Sequence, residues 1–171
     1  MIMNENKRSN FGFTMVEVMV VVAIIGIMAA IAVPSFIGWL PDYRLRSATR
    51  DIVSCLQGMK MRAVAENSNA VVIFDIATES YQSFVDDGGS DGTGIANDHL
   101  HNGSEVLLQN ITLPIGVEFT DSTFHSSTSP YYFGFSSRGL PSTTVGRIIL
   151  KNSNSKTMEV IVNSVGNIRV Q

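Results

Sequence analysis

Residues 13–33 read Phe-Thr-Met-Val-Glu-Val-Met-Val-Val-Val-Ala-Ile-Ile-Gly-Ile-Met-Ala-Ala-Ile-Ala-Val, one apolar run closed by Pro34. As an α-helix its 21 residues rise about 31 Å, against a bilayer hydrocarbon core of roughly 30 Å. The segment can therefore span a membrane. A secretory signal peptide competes with that reading, but its apolar stretch runs only ~7–15 residues before a small-residue cleavage site. The run here is longer, although Ala29-Ala30-Ile31-Ala32 loosely imitates such a site. An ordinary uncleaved anchor is a second competitor. The discriminating residue is Glu17. An acid at the centre of a membrane helix carries a penalty of about 2.5–3.5 kcal/mol on insertion scales, and less near an end, where Glu17 lies. Two readings follow: a carboxylate snorkelling to the interface, or one awaiting a cation from a neighbouring subunit. An N-terminal α-amine is such a cation, and it exists beside this helix only if the chain is cut just before the run.

The chain has 171 residues and a formal charge of −3, a length suited to one globular domain. The charges are uneven. Residues 64–130 carry ten acidic side chains and no Lys or Arg, whereas residues 131–171 carry Arg138, Arg147, Lys151, Lys156 and Arg169 against Glu159 alone. Such asymmetry marks either an electrostatic partner surface or simply uneven solvated loops. Cys55 is the only cysteine, which excludes an intramolecular disulfide and leaves the domain to packing. It reads as a small apolar residue buried on a helix.

Beyond the run, Trp39 suits a membrane–water interface. From Asp42, apolar residues recur at Leu45, Ala48, Ile52, Cys55, Leu56, Met59 and Ala63, the spacing of a helix with one buried face. Arg46, Arg50, Gln57 and Lys60 fall largely on other faces. The anchor and this stretch are expected to form one long helix, bent near Pro34 and Pro41 and ending near Asn67-Ser68-Asn69. The methionines on its face read as core rather than as a cofactor site. Strands are expected at 70–76, 81–85, 105–113, 116–119, 131–135, 146–151, 157–162 and 166–170, being short, β-branched or aromatic, and bounded by turn residues. A long helix followed by strands predicts an α+β domain, the helix covering one face of an antiparallel sheet.

Lys7-Arg8-Ser9-Asn10-Phe11-Gly12 followed by Phe13-Thr14-Met15-Val16-Glu17 resembles the class III signal of type IV prepilins and type II secretion pseudopilins. The resemblance implies a type IV pilin-like fold and cleavage by a prepilin peptidase between Gly12 and Phe13. It further implies N-methylation of Phe13 and pairing of Glu17 with the amine of an adjacent subunit during filament assembly. Pro34 matches a proline that kinks the anchor helix. Charge alone does not orient the anchor, since two cations precede it and Arg44, Arg46 and Arg50 follow. The resemblance places the N-terminus in the cytoplasm and the domain in the periplasm, anchored in inner-membrane lipid. Three segments are expected: a leader over 1–12, a membrane helix with interface over 13–41, and a periplasmic helix with β-rich domain over 42–171.

The C-terminal half carries a second resemblance. Tyr132-Phe133-Gly134-Phe135, Arg138-Gly139-Leu140-Pro141, Gly146-Arg147-Ile148-Ile149-Leu150 and Val160-Ile161-Val162-Asn163 with Val165-Gly166-Asn167-Ile168-Arg169-Val170 are similar to the GspH/FimT branch of that family. This implies a non-catalytic minor pseudopilin of a type II secretion system, forming or capping a periplasmic pseudopilus with other pseudopilins. The alternative is a FimT-like minor pilin of a type IV pilus that binds DNA through cations such as Arg138, Arg147, Lys151 and Arg169. Asn167 stands where that branch has its first terminal arginine, which removes one phosphate partner. Residues 80–125 match no motif.

The remaining candidates are acidic or imidazole clusters. Read from Asp87, a loop has Asp87, Asp91 and Asp98 at the first, fifth and twelfth positions and Gly92 at the sixth, faintly like a calcium loop. Gly89 at the third position and Asp98 in place of a bidentate Glu argue instead for a flexible acidic loop. His99 and His101 would need a third ligand to hold a metal, and His125 sits in another polar loop. No nucleophile–base pair or phosphate loop is present, so no enzyme, cofactor or metal is expected.

Overall fold

The computed structural model describes residues 12–89, 94–102, 104–124 and 130–171. The leader residues 1–11, with Lys7 and Arg8, lie outside them, as do Asp91, Gly92 and His125. Helix α1, Met15–Glu66, is 52 residues long and continues through Pro34 and Pro41. Neither proline supplies the N–H that would reach the carbonyl four residues earlier, yet neither ends the helix. Its C-terminus falls where the turn residues placed it. Asn67 takes φ 51° and the Ser68 N–H donates to the Ala63 carbonyl at 3.3 Å, the left-handed cap that closes many helices.

The chain divides into two compact units at Trp39–Leu40. In the first, every described residue from Gly12 to Gly38 is exposed. The second is built on the other half of α1, where Leu45, Ala48, Thr49, Ile52, Cys55, Leu56, Met59 and Ala63 are buried, the face foreseen from spacing.

The eight strands are β1 Asn69–Asp75, β2 Ser80–Asp86, β3 Leu107–Thr112, β4 Val117–Ser122, β5 Tyr131–Phe135, β6 Gly146–Asn152, β7 Thr157–Val162 and β8 Ile168–Val170. All named pairings are antiparallel. They form two four-stranded sheets, ordered β3-β2-β1-β5 and β4-β6-β7-β8, rather than the single sheet expected. The chain first switches sheets between β3 and β4, returns to the first sheet at β5 and leaves it again at β6. Pro114 has no N–H to continue a ladder, and Gly116 at φ 84° turns the chain into the second sheet. Both sheets contribute to one core with the helix: Val72, Phe74, Phe133 and Phe135 from the first, and Phe119, Ile148, Leu150, Val160 and Val162 from the second. Phe74 is its hub, edge-on to Phe119 at 5.8 Å and stacked on Phe124 at 5.6 Å.

Two polar ties hold this arrangement. Glu79, in the β1–β2 turn, accepts the Phe119 N–H at 2.7 Å, and its own carbonyl accepts the Leu113 N–H at 2.8 Å, so one residue pins both ends of the sheet switch. Burial raises its carboxyl above the usual range, with the Phe119 hydrogen bond opposing. Asp42 on α1 accepts from Asn152 at 2.8 Å and from Lys156 at 2.9 Å, fastening the helix to the β6–β7 hairpin. Lys156, then Asn152, holds its carboxyl below the usual range.

Candidate functional site at the helix N-terminus

The helix begins one residue after Thr14. The Thr14 hydroxyl accepts the Glu17 N–H at 3.2 Å, and its carbonyl accepts the Val18 N–H at 3.3 Å. Thr14 is thus the N-cap and Glu17 the third helical residue, the Thr-x-x-Glu spacing of a capping box. The Thr14–Glu17 spacing is itself a legible helix-start signal in the sequence. The cap matters here because an unsatisfied helix N–H in hydrocarbon is penalised by several kcal/mol. The carboxylate of Glu17 stands in the first turn, where the helix dipole favours negative charge. Phe13 is almost wholly exposed at 83%, and Gly12 has open space where a Cβ would stand. Down the same half-helix, Val18, Val22, Ile25 and Met28 are all exposed. At its far end Phe36 and Trp39 have ring centroids 6.2 Å apart. By length and composition this helix can cross a membrane. So large an exposed apolar surface demands lipid or protein around it.

The cations proposed for phosphate contact are not gathered into one site. Arg147, Lys151 and Arg169 share the outer face of the second sheet, since Arg147 pairs with Ile161 and Ile161 with Arg169. Two of them are already matched there: Arg147 with Glu159 at 3.4 Å and Lys151 with Glu118 at 3.4 Å. Arg138 is exposed in the turn after β5. Arg169 also lines a shallow groove with Gln57, Lys60 and Gly166, and Lys60, which sequence reasoning did not single out, donates to the Gly166 carbonyl at 2.9 Å. The glycines of the C-terminal motif do structural work. Gly139 and Gly166 have φ of 71° and 73°, and a Cβ on Gly166 would stand 3.0 Å from the Gly139 carbonyl.

The described residues of the acidic loop, 86–89 and 94–98, are tied by buried carboxylates. Asp86, wholly buried, accepts the N–H groups of Asn97 at 2.6 Å and His99 at 2.8 Å. Glu105, also buried, accepts those of Gly88 at 3.1 Å and Asn102 at 2.9 Å. These carboxylates fold the backbone around themselves. Of the calcium-loop positions, Asp87 accepts the Gly89 N–H and Asp98 accepts from Leu100 and Asn102. His99 stacks on Tyr132 with centroids 5.7 Å apart, and His101 stands edge-on to Phe84. No cluster of three potential metal ligands occurs among the described residues. Cys55 is buried and free, and burial pushes its thiol up to about 11.

A capped, exposed apolar half-helix headed by Gly-Phe-Thr-x-x-Glu, and a second unit of helix and antiparallel sheets, give the chain a type IV pilin-like α+β fold. Comparison with known proteins agrees at that level. Residues 7–33 match the prokaryotic N-terminal methylation motif. The type IV major fimbrial protein FimA of Dichelobacter nodosus is 50% identical over 61 residues, 36% of this chain and 35% of FimA, so the match spans about a third of either protein. Among solved structures, the chain is similar to the minor pseudopilin EpsH of the Vibrio cholerae type 2 secretion system, with a TM-score of 0.54 at 14% identity over 75% of this chain and 96% of EpsH. It is similar to the type IV minor pilin FimU of Pseudomonas aeruginosa, with a TM-score of 0.53 at 11% identity over 76% of this chain and 90% of FimU.

Proposed function

We propose that this chain is a subunit of a type IV pilin-like filament, made with a leader over 1–12 that prepilin peptidase removes between Gly12 and Phe13. Phe13 is then N-methylated, and Glu17 pairs with the α-amine of an adjacent subunit. Residues 13–41 hold the subunit in the inner membrane, N-terminus cytoplasmic, with 42–171 in the periplasm. The observation that carries this reading is a single carboxylate one helical turn from Phe13, on a half-helix otherwise apolar and exposed. Away from water an amine–carboxylate pair is strengthened and an unpaired acid is penalised, so pairing selects one axial register between subunits. Mass spectrometry of protein from a host with active peptidase should find mature chains beginning at methylated Phe13. Glu17→Leu should still insert and be processed but fail to enter filaments. Chains that retain the leader, or filaments built normally from Glu17→Leu, would refute the reading.

Within that class we infer a minor pseudopilin of a type II secretion system, supported by the fold shared with EpsH. A type IV pilus minor pilin is the second reading, favoured by the fold shared with FimU and the N-terminal match to FimA. A DNA-binding role under that reading rests on Arg138 and Arg169, because Arg147 and Lys151 each face an acid. Salt-dependent DNA binding lost on Arg169→Ala supports it, and no binding at low salt counts against it.

A further inference from the structure

The end of the second unit at which α1 enters carries an exposed apolar turn. The unit begins at Leu40, and Arg44, about one helical turn further on, donates to the Ile115 carbonyl at 3.0 Å. Ile115 is 86% exposed, more than Phe13 at 83%. Beside it, the Gly116 carbonyl accepts the Ser153 N–H at 3.0 Å, which joins this turn to the β6–β7 turn. The β6–β7 turn is in turn fastened to α1, where Asp42 accepts from Asn152 and Lys156. Three segments distant in sequence thus meet in one rim at the helix entry. Tyr43, Ile115 and the polar residues 153–155 are exposed on it.

A single exposed isoleucine is ordinary on a protein surface; its place here is not. After Glu17 no charged residue occurs until Asp42. From Met15 to Leu40 the helix rises about 39 Å, close to the thickness of a bilayer with its headgroup layers, about 40–45 Å. Arg44 follows Leu40 by only about 6 Å of helix, which brings the rim to the depth of lipid headgroups. Its composition suits that depth. An apolar side chain can enter the boundary between headgroups and acyl chains, while an arginine stem lies along apolar surface and its guanidinium reaches a phosphate. One Arg44 nitrogen holds the Ile115 carbonyl, and the guanidinium makes no ion pair among the described residues. Lys156 is matched by Asp42, so the rim offers Ile115 and Arg44 rather than a basic patch.

We propose that this rim is a lipid-contact surface. Ile115 inserts into the bilayer leaflet on its side, Arg44 holds a lipid phosphate beside it, and residues 153–155 lie among the headgroups. The inference rests on the membrane anchoring proposed above. It adds a second attachment, made by a turn remote in sequence from the anchor. The second unit is thereby seated on the bilayer, and entry of the subunit into a filament must break that seat.

The test uses the full chain reconstituted into phosphatidylcholine vesicles. Trp39, the only tryptophan, is removed by Trp39→Phe, and one reporter at a time is placed at an exposed site. Ser153→Trp reports on the rim and Ile24→Trp on the anchor. Val165→Trp adjoins Gly166, which lies against Lys60, roughly four helical turns from Arg44. Emission is compared between plain lipid and lipid brominated high in its acyl chains, since bromine quenches tryptophan on contact. Ile24→Trp and Ser153→Trp should lose emission in brominated lipid, and Val165→Trp should not. Adding Ile115→Asp to the Ser153→Trp chain should restore its emission; Ile115 is exposed, so the fold tolerates the change. Ser153→Trp quenched no more than Val165→Trp, with Ile24→Trp quenched, overturns the proposal and leaves the anchor standing. An unquenched Ile24→Trp overturns the anchor and the proposal together. Quenching of Ser153→Trp that survives Ile115→Asp also overturns the proposal. So does a blue-shifted but unquenched Ser153→Trp, since protein would then cover the rim.

Discussion

Leu56→Ala should separate the two halves of α1 energetically, although both are apolar. Leu56 has no solvent exposure and lies in the core shared by helix and both sheets. Removing its isobutyl group forfeits the transfer energy of the lost carbons and leaves a cavity that a packed interior only partly closes, together about 2–5 kcal/mol. For a unit of this size each kcal/mol moves the melting point by roughly 3–5 °C, so a loss near ~3 kcal/mol lowers it by about 10–15 °C. Against a typical domain stability of about 5–15 kcal/mol, the variant still folds. Ile24→Ala makes a similar deletion in the same helix, but Ile24 is 52% exposed, and its effect should stay within about 0.5 kcal/mol. Urea unfolding of the full chain in detergent, followed by Trp-independent circular dichroism of the sheets, measures both. The midpoint should fall for Leu56→Ala with the slope unchanged. Equal losses for the two variants would refute the division of the helix into a packed half and a half reserved for lipid and partners.

Gly166→Ala should destabilise by about 1–2 kcal/mol in thermal melts, since φ 73° is strained for a residue with a Cβ and that Cβ meets the Gly139 carbonyl; an unchanged melting point would argue against the turn geometry. Tyr81→Phe should leave stability unchanged or raise it, because the buried Tyr81 hydroxyl has no partner among the described residues; a clear loss would reveal a hydrogen bond to that oxygen. Asp42→Asn should remove part of the acid sensitivity of folding. Lys156 and Asn152 depress the Asp42 carboxyl, so its contribution is present above the ordinary carboxylate range and lost as pH falls through the depressed value. Wild type and Asp42→Asn should therefore converge in stability as the pH falls, and a constant offset between them at every pH would contradict this.

Much of the chain was legible from residue order because the relevant signals are local. An unbroken apolar run names a membrane-length helix. A 3–4 residue spacing names the face from Leu45 to Ala63. Asn67 and the turn residues bound the elements, while Gly12, Phe13 and Glu17 carry the resemblance from which processing is proposed. What tertiary structure alone decided are pairings between residues far apart in sequence. Eight strands can be named one by one, yet their division into two sheets depends on which edges meet, and the chain crosses between the sheets at β3–β4, β4–β5 and β5–β6. Arg147 and Lys151 look like free cations until β4 and β7 bring Glu118 and Glu159 beside them. Asp86 and Glu105 look like solvated acids until their loop folds its N–H groups onto them. Periodicity carries information about a residue's own element, whereas charge compensation and burial are properties of neighbours that only the folded chain assembles.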